Sequence, residues 1–224
     1  MTPGSTKRRG GVLVSDFDGT MTRNDFYKLV IESLLPGDTP NYWAEYRANT
    51  ITHFEALRRY FASIRASEEA VLAVVNRMEL DPELPAAVKS LRSAGWDVIV
   101  VSAGCDWYIR RLLESAGVSL VVHSNPGRFE SGKGLLMEMP LRSPFLSLTL
   151  GVDKAKVVQQ QLDAGHTVAF AGDGFPDAES ARLVTGELRF ARGDLADVLE
   201  REHLEFNSFD KWSDITRILL QRGN

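Results

Sequence analysis

Two segments of the sequence place acidic side chains beside glycine. Asp16 and Asp18 stand in the segment Asp-Phe-Asp-Gly-Thr, and Asp173 and Asp177 stand in Gly-Asp-Gly-Phe-Pro-Asp. Each segment directly follows a short apolar run. Magnesium prefers oxygen ligands and is typically bound by one or two carboxylates together with water. The sequence therefore predicts that Asp16 and Asp173 supply ligands for Mg²⁺.

Two further segments offer groups that bind phosphate. Ser102, Ala103 and Gly104 follow another apolar run and precede a helix-like stretch. The Ser102 hydroxyl, the two following amides and the helix N-terminus can hold phosphate oxygens. Lys154 can offset the repulsion between a carboxylate and a phosphate dianion, which is about 4 kcal/mol per charge pair at about 4 Å and an effective dielectric of about 20. Lys156 is the alternative phosphate lysine, although the surrounding sequence favours Lys154.

Together these groups favour phosphoryl transfer from a phosphate monoester. Asp18 lies two residues after Asp16, so both side chains point to the same edge of a strand. Neighbouring anions should raise the pKa of Asp18 and let it protonate the leaving alcohol. Three structural alternatives remain open: Asp16 and Asp18 could be turn formers, Asp177 could cap its helix, and Ser102 could be a turn hydroxyl.

Apolar runs alternate with helix-like stretches along most of the chain, which predicts an α/β fold. The runs have almost continuous Val, Leu and Ile content, as strands do when both faces of a parallel sheet are covered. They span residues 12–15, 98–102, 120–123, 168–172 and 188–191. We expect a doubly wound, Rossmann-like parallel sheet of about five strands. Ligands bind such sheets beyond the carboxyl ends of the strands, which is where the four polar segments fall.

The stretches between the runs have helical patterns. From residue 85 onward they span residues 85–94, 106–116, 154–164, 177–184, 194–202 and 211–221. Asp106, Asp153 and Asp194 are expected to cap three of these helices. Residues 125–150 are rich in Gly and Pro, and we expect residues 135–139 and 146–150 to form hairpin strands.

A helical insertion interrupts the alternation after the first strand. Residues 24–78 read as amphipathic helices without a strand. We therefore expect a catalytic core over residues 11–23 and 84–224, a helical cap over residues 24–83 and a disordered tail over residues 1–10. Asp25 is either a substrate-facing residue at the cap hinge or a solvated acid at a helix start. Other cap residues could contact a substrate or serve only packing and surface charge: Tyr27, Trp43, His53, Arg58 and Arg59.

Composition excludes several classes of protein. The chain has 224 residues, of which 44% are hydrophobic and 25% charged, so it is neither disordered nor collagen-like. A net charge of −4 disfavours nucleic acid and anionic membranes as partners. No apolar run approaches the roughly 20 residues of a membrane span. A single cysteine, Cys105, suits a reducing compartment, and we expect a cytoplasmic protein.

The four polar motifs, in this order, resemble those of the haloacid dehalogenase-like phosphatase superfamily. The resemblance covers the chain from Gly11 onward, and the insertion takes the position of that family's helical cap. The segments DFDGTMTRND, VSAGCDWYIRRLL and GDGFPDAESARLV are similar to the phosphoserine-phosphatase-like branch. Within it they most resemble the methionine-salvage group that acts on a methylthiopentenyl phosphate.

The resemblance implies a role for each matched residue. Asp16 would be the nucleophile that forms an aspartyl-phosphate, and Asp18 the general acid and base that also gives its backbone carbonyl to Mg²⁺. Asp173 would bind the metal, and Asp177 would be an outer carboxylate that binds it directly or through water. Ser102 and Lys154 would bind the substrate phosphate.

The sequence thus predicts magnesium-dependent hydrolysis of a small phosphorylated metabolite by a monomer or homodimer. A methylthiopentenyl phosphate and phosphoserine are the two substrate candidates. A phosphomutase or phosphotransferase with the same nucleophile is the first alternative. A phosphate-binding regulatory module without turnover is the second.

Overall fold

The computed structural model describes residues 11–221, so the expected disordered tail, residues 1–10, lies outside the described residues. The strands are, in chain order, β1 (Gly11–Ser15), β2 (Trp96–Cys105), β3 (Val121–Asn125), β4 (Gly127–Glu130), β5 (Gly134–Met137), β6 (Leu146–Ser147), β7 (Gly151–Val152), β8 (Thr167–Gly172), β9 (Arg189–Ala191) and β10 (Asn207–Ser208). The helices are α1 (Phe26–Ser33), α2 (Tyr42–Arg47), α3 (His53–Ala62), α4 (Glu68–Asn76), α5 (Leu84–Ser93), α6 (Asp106–Ser115), α7 (Lys154–Asp163), α8 (Ala178–Arg182), α9 (Gly193–Arg201) and α10 (Trp212–Gln221).

A parallel sheet of six strands forms the centre, in the order β10-β9-β8-β1-β2-β3. Its central strand β1 pairs with β2 on one side and with β8 on the other. Leu13 and Val14, which face opposite sides of the sheet, are both fully buried. The predicted α/β sheet is confirmed, with six strands rather than about five. The additional strand β10 is short and polar, so no apolar run marked it.

Residues 135–139 and 146–150 contribute β5 and β6, and both are hairpin strands as predicted, although they do not pair with each other. The structure has two separate antiparallel hairpins, in which β5 pairs with β4 and β6 pairs with β7. Strand β4 carries the charged residues Arg128 and Glu130, which hid it from a reading based on apolar runs.

Two of the three predicted helix caps are wrong. Asp153 does cap α7, since its carboxylate accepts a hydrogen bond from the Lys156 amide at 3.0 Å. Asp106 is already inside the first turn of α6, because β2 runs into that helix without a loop. Asp194 likewise lies in the first turn of α9 rather than before it.

The helices α1–α4 lie between β1 and α5 in the chain and share a hydrophobic cluster with the sheet. Phe26, Phe61 and Val75 from these helices belong to the same cluster as Leu13 and Val100 from the strands. The two chain connections of the insertion also meet, since Thr22 and Leu80 form an antiparallel bridge. Within residues 11–221, no helix is both long and apolar enough to cross a membrane.

The hairpin β4–β5 packs against α3 and belongs to the same hydrophobic cluster. Gly134 lies at the contact with a φ of +81°, and a Cβ there would lie 2.5 Å from the Phe61 carbonyl oxygen. Glycine is therefore required by both conformation and space. Ile64, which follows α3, is fully buried at the same contact.

Replacement of Ile64 tests whether the inserted helices and the sheet unfold together. Ile64→Ala should lower the free energy of unfolding by about 2–5 kcal/mol, because it leaves a cavity in the shared cluster. Urea unfolding should still show one transition. Ile31→Ala is the matched control, since Ile31 on α1 is 39% exposed, and should change stability by no more than about 0.5 kcal/mol. Two separate transitions, or equal effects of the two variants, would contradict a shared core.

Candidate active site

Asp16 lies at the carboxyl end of β1 and is oriented by its neighbours. Its Oδ1 accepts a hydrogen bond from the Phe17 amide at 2.7 Å, and its Oδ2 lies 2.9 Å from Lys154 Nζ. The Asp16 amide donates to the Ala171 carbonyl on β8. Ser15 donates to the Asp16 carbonyl and accepts from the indole of Trp212 on α10. The backbone around the carboxylate is therefore fixed by β8 within the sheet and by α10.

Lys154, the first residue of α7, joins two carboxylates in a buried ion-pair network. Its ammonium lies 2.9 Å from Asp16 Oδ2 and 2.6 Å from Asp177 Oδ1, and the residue is only 4% exposed. Lys156 instead points outward and donates to the Leu146 carbonyl. The structure therefore brings Lys154, and not the alternative lysine, to the acidic residues.

Asp177 uses both carboxylate oxygens to organise the turn after β8. While Oδ1 accepts from Lys154, Oδ2 accepts from the amides of Asp173 and Gly174 at 3.1 and 3.0 Å. Asp177 is fully buried, and a Cβ at Gly172 would lie 2.6 Å from its Cγ. Its carboxylate therefore caps the turn and faces the other acids at the same time.

Asp173 reaches the same place from the loop after β8. Its Oδ1 accepts a hydrogen bond from the Thr20 hydroxyl at 2.8 Å. Its Oδ2 lies where a side chain on residue 19 would be, since a Cβ at Gly19 would lie 2.3 Å away. Gly19 has a φ of +69°, so this turn favours glycine on conformational grounds as well.

Oxygens of Asp16, Asp173 and Asp177 lie within 4.8 Å of one another, a donor set that fits a divalent cation. Burial and then the charge of Asp177 raise the pKa of Asp16 well above its usual value. The same two causes raise the pKa of Asp173 to about 7. One lysine does not balance three carboxylates, so the group favours added positive charge. The Asp18 carboxyl lies outside this group.

Asp18 faces neutral donors rather than the lysine. Its Oδ1 accepts from the Phe26 amide at 3.1 Å, and its Oδ2 accepts from the Tyr108 hydroxyl at 2.8 Å and from the Ser102 hydroxyl at 3.4 Å. Burial raises the pKa of Asp18 to about 6, and the nearby Asp25 adds to the increase. This carboxyl group is therefore suited to carrying a proton near neutral pH.

The predicted phosphate-binding segment, residues 102–104, does not follow β2 but lies within its buried C-terminal part. Ser102 Oγ accepts a hydrogen bond from the Gly104 amide at 2.9 Å. Asn125, at the end of β3, donates to the Ala103 carbonyl at 2.7 Å and so fixes this segment of β2. Ser102, Ala103 and Gly104 line the same cavity as Asp16, Asp18 and Lys154.

That cavity has a volume of about 380 Å³ and an aromatic wall supplied by the inserted helices. The wall consists of five aromatic residues and one leucine: Tyr27, Trp43, Tyr46, His53, Phe61 and Leu57. The ring of Trp43 lies 5.1 Å from that of His53 and 5.2 Å from that of Tyr27, measured between centroids. Burial lowers the pKa of His53 to about 4, so this ring is uncharged at neutral pH.

The structure shows which of the cap residues left undecided by the sequence line the cavity. Tyr27, Trp43 and His53 line the cavity, whereas Arg58 and Arg59 form ion pairs with Glu55 on their own helix. Asp25 also lines the cavity, and it pairs with Lys28 one turn later.

Three residues of the site were not identified from the sequence. Tyr108 and Thr20 contact the acids directly. Arg192 donates to the carbonyls of Gly19 and Thr22 at 2.6 and 2.7 Å, so it fixes the turn that follows Asp18. An aromatic residue on a helix, a threonine in a turn and an arginine after a strand are all common in purely structural roles. Only their proximity in the fold distinguishes them.

Known proteins resemble this chain in both sequence and structure. A family model described as haloacid dehalogenase-like hydrolase matches residues 13–182. A 2-hydroxy-3-keto-5-methylthiopentenyl-1-phosphate phosphatase from Brevibacillus brevis is 23% identical over 214 residues, which cover 94% of this chain and 95% of that one. A protein of the same name from Microcystis aeruginosa is 25% identical, with 94% and 98% covered. A substrate-bound phosphoserine phosphatase structure has the same fold, with a TM-score of 0.67, 17% identity, and 96% and 99% of the two chains covered.

Binding of magnesium to the acidic group should stabilise the folded protein. A ligand present at about 100 times its Kd adds about 2.7 kcal/mol to the free energy of unfolding. Thermal unfolding with and without MgCl₂ measures this gain. Asp173→Asn should reduce it because one ligand oxygen loses its charge. Asp97→Asn, at the exposed opposite end of β2, is the control and should retain the full gain. An equal gain in all three proteins would contradict a metal site here.

Proposed function

The chain belongs to the haloacid dehalogenase-like hydrolase family, and we propose that it hydrolyses a small phosphorylated metabolite, a phosphomonoester, with Mg²⁺ as its cofactor. The observation that carries the proposal is the difference between two neighbouring carboxyl groups. Asp16 faces the ammonium of Lys154, whereas Asp18 is held by hydroxyl and amide donors. Two acids in such different environments are suited to two different roles, nucleophile and proton carrier.

In the first half-reaction, an oxygen of Asp16 attacks phosphorus and the bond from phosphorus to the ester oxygen breaks. Asp18 gives its proton to the departing alkoxide, so the alcohol leaves neutral. In the second half-reaction, water attacks the phosphorus of the aspartyl-phosphate, and Asp18 takes a proton from that water. Phosphate departs and Asp16 is restored, so the net reaction is ester plus water to alcohol plus phosphate.

Positive charge is needed because a carboxylate attacks a dianion. The Lys154 ammonium lies beside Asp16 and supplies part of it. Magnesium, held by Asp16, Asp173 and the Asp18 carbonyl, would supply the remainder, with Asp177 binding it directly or through water. The phosphate oxygens would accept hydrogen bonds from Ser102 and from the amides of Ala103 and Gly104.

We further propose that residues 24–83 act as a cap that selects the substrate, over a core of residues 11–23 and 84–224. The aromatic wall supports a leaving group with an apolar tail, because Trp43, His53 and Tyr27 offer uncharged rings. A methylthiopentenyl phosphate fits this description, and the curated relatives above carry that activity in their names. Phosphoserine is the second candidate. The charged pair Asp25–Lys28 at the cavity supports it, since its leaving group is a zwitterion.

We also propose a cytoplasmic location. The single cysteine, Cys105, is a buried free thiol, as suits a reducing compartment. A monomer or homodimer remains our prediction for the assembly.

Removal of the nucleophile should abolish turnover. Asp16→Asn preserves the shape of the side chain but weakens its ability to attack phosphorus, and we expect kcat to fall by roughly 10³-fold or more. Release of inorganic phosphate from 4-nitrophenyl phosphate measures this, and circular dichroism checks the fold. Asp97→Asn again serves as the control. A kcat for Asp16→Asn within tenfold of the wild type would contradict the assigned role.

The aromatic wall should decide between substrates. We expect kcat/KM to be higher for a methylthiopentenyl-type phosphate than for phosphoserine. Trp43→Leu should lower kcat/KM for the apolar ester by about tenfold, the equivalent of about 1.4 kcal/mol of lost burial, with a smaller effect on phosphoserine. Tyr42→Leu, on the same helix but outside the cavity, is the matched control. A preference for phosphoserine, unchanged by Trp43→Leu, would contradict the apolar assignment.

A further inference from the structure

We propose that Tyr108 is a positioning residue for Asp18, holding its carboxyl group in the orientation needed for proton transfer. This proposal rests on the proposed function, since it concerns the same proton-carrying acid. Tyr108 lies on α6 and is only 1% exposed. Its hydroxyl donates to Asp18 Oδ2 at 2.8 Å, the shortest of the three hydrogen bonds that this carboxyl group accepts in residues 11–221.

The chain makes room for this contact at Gly104. A Cβ on residue 104 would lie 1.9 Å from the Tyr108 hydroxyl oxygen and 2.9 Å from Asp18 Oδ2. Any larger residue would therefore occupy the space in which the hydroxyl meets the carboxyl group. The hydrogen bond and the glycine are consequently two parts of one arrangement.

The ring of Tyr108 is itself held by the inserted helices. Its centroid lies 4.4 Å from that of Phe26 on α1 and 6.4 Å from that of Phe61 on α3. The Phe26 amide also donates to the other oxygen of Asp18. Both Asp18 oxygens are thus held by groups that depend on how α1 and α3 pack against α6.

Orientation matters because Asp18 must reach the ester oxygen in one half-reaction and water in the next. Proton transfer needs the two heavy atoms within about 2.6–3.2 Å. Without the Tyr108 hydroxyl, Oδ2 would retain only the longer contact with Ser102. The carboxyl group would then sample other orientations, and a misplacement of about 1 Å can cost up to about 10²-fold in rate.

Tyr108→Phe tests the proposal because it keeps the ring and removes only the hydroxyl. We expect kcat for an alkyl phosphate, whose alkoxide needs a proton to leave, to fall by about tenfold. For 4-nitrophenyl phosphate, whose leaving group departs without a proton, the first half-reaction should change by less than about threefold. This half-reaction is measured as the pre-steady-state burst of 4-nitrophenolate, and KM for both esters should stay unchanged.

Tyr60→Phe is the matched control. Tyr60 is a buried tyrosine of α3 whose hydroxyl accepts from the Trp43 amide and donates to Asn41, so its loss removes a hydrogen-bonded phenol without touching Asp18. Tyr60→Phe should leave unchanged the ratio of kcat for the alkyl phosphate to the burst rate for 4-nitrophenyl phosphate. Circular dichroism and thermal unfolding of all variants establish that Tyr108→Phe is folded, as expected from its retained ring contacts.

A double variant with Asp18→Asn tests whether Tyr108 acts through Asp18. If Tyr108 acts through Asp18, Tyr108→Phe should cause no further loss when Asp18 is already Asn. The positioning role would be overturned if Tyr108→Phe lowered kcat for the alkyl phosphate and the burst rate for 4-nitrophenyl phosphate equally. A further loss of activity when Asp18 is already Asn would overturn it as well. Absence of phosphate release from any ester by the wild type would instead overturn the proposed function, and the Tyr108 role with it.

Discussion

The ammonium of Lys154 lies between the carboxylates of Asp16 and Asp177, and the arrangement of the site depends on it. Burial alone would lower the pKa of Lys154, but the two carboxylates together raise it above its usual value, so the charge persists in the interior. Asp16 follows β1, Asp177 follows β8 and Lys154 begins α7, so one side chain joins three parts of the fold. Removing it would leave two buried acids unpaired, which typically costs about 3–5 kcal/mol.

The parallel sheet makes this convergence possible. Because β8, β1 and β2 are adjacent and parallel, their carboxyl ends and the segments that follow lie at the same edge. Small residues then let the segments approach. Gly19 admits Asp173, Gly172 admits Asp177 and Gly104 admits Tyr108. The topology thus brings the charged groups to one edge of the sheet. Glycine at these three positions then leaves the space that the neighbouring side chains need for close contact.

The sequence predicted what depends on local pattern. Continuous apolar runs indicated the strands of the central sheet, and the acidic segments after them indicated which edge carries polar groups. It did not predict β10, whose two residues are polar, or the pairing of β5 with the charged strand β4. It also missed Tyr108, because an aromatic residue on a helix usually packs in the core, and its partner Asp18 lies 90 positions earlier in the chain. Contacts across such separations follow from tertiary packing, which a local pattern does not contain.

The close approach at Gly104 has an evolutionary consequence. Since a Cβ there would collide with the Tyr108 hydroxyl, the two positions cannot vary independently. A phenylalanine at position 108 would remove the closest of the contacts that exclude alanine at position 104 and leave the one with Asp18 Oδ2 at 2.9 Å, whereas alanine acquired first would displace the hydroxyl. The order of substitution therefore decides which intermediates function. Among related sequences, residues 104 and 108 should form an epistatic pair, with tyrosine permitted only in lineages that have kept the glycine.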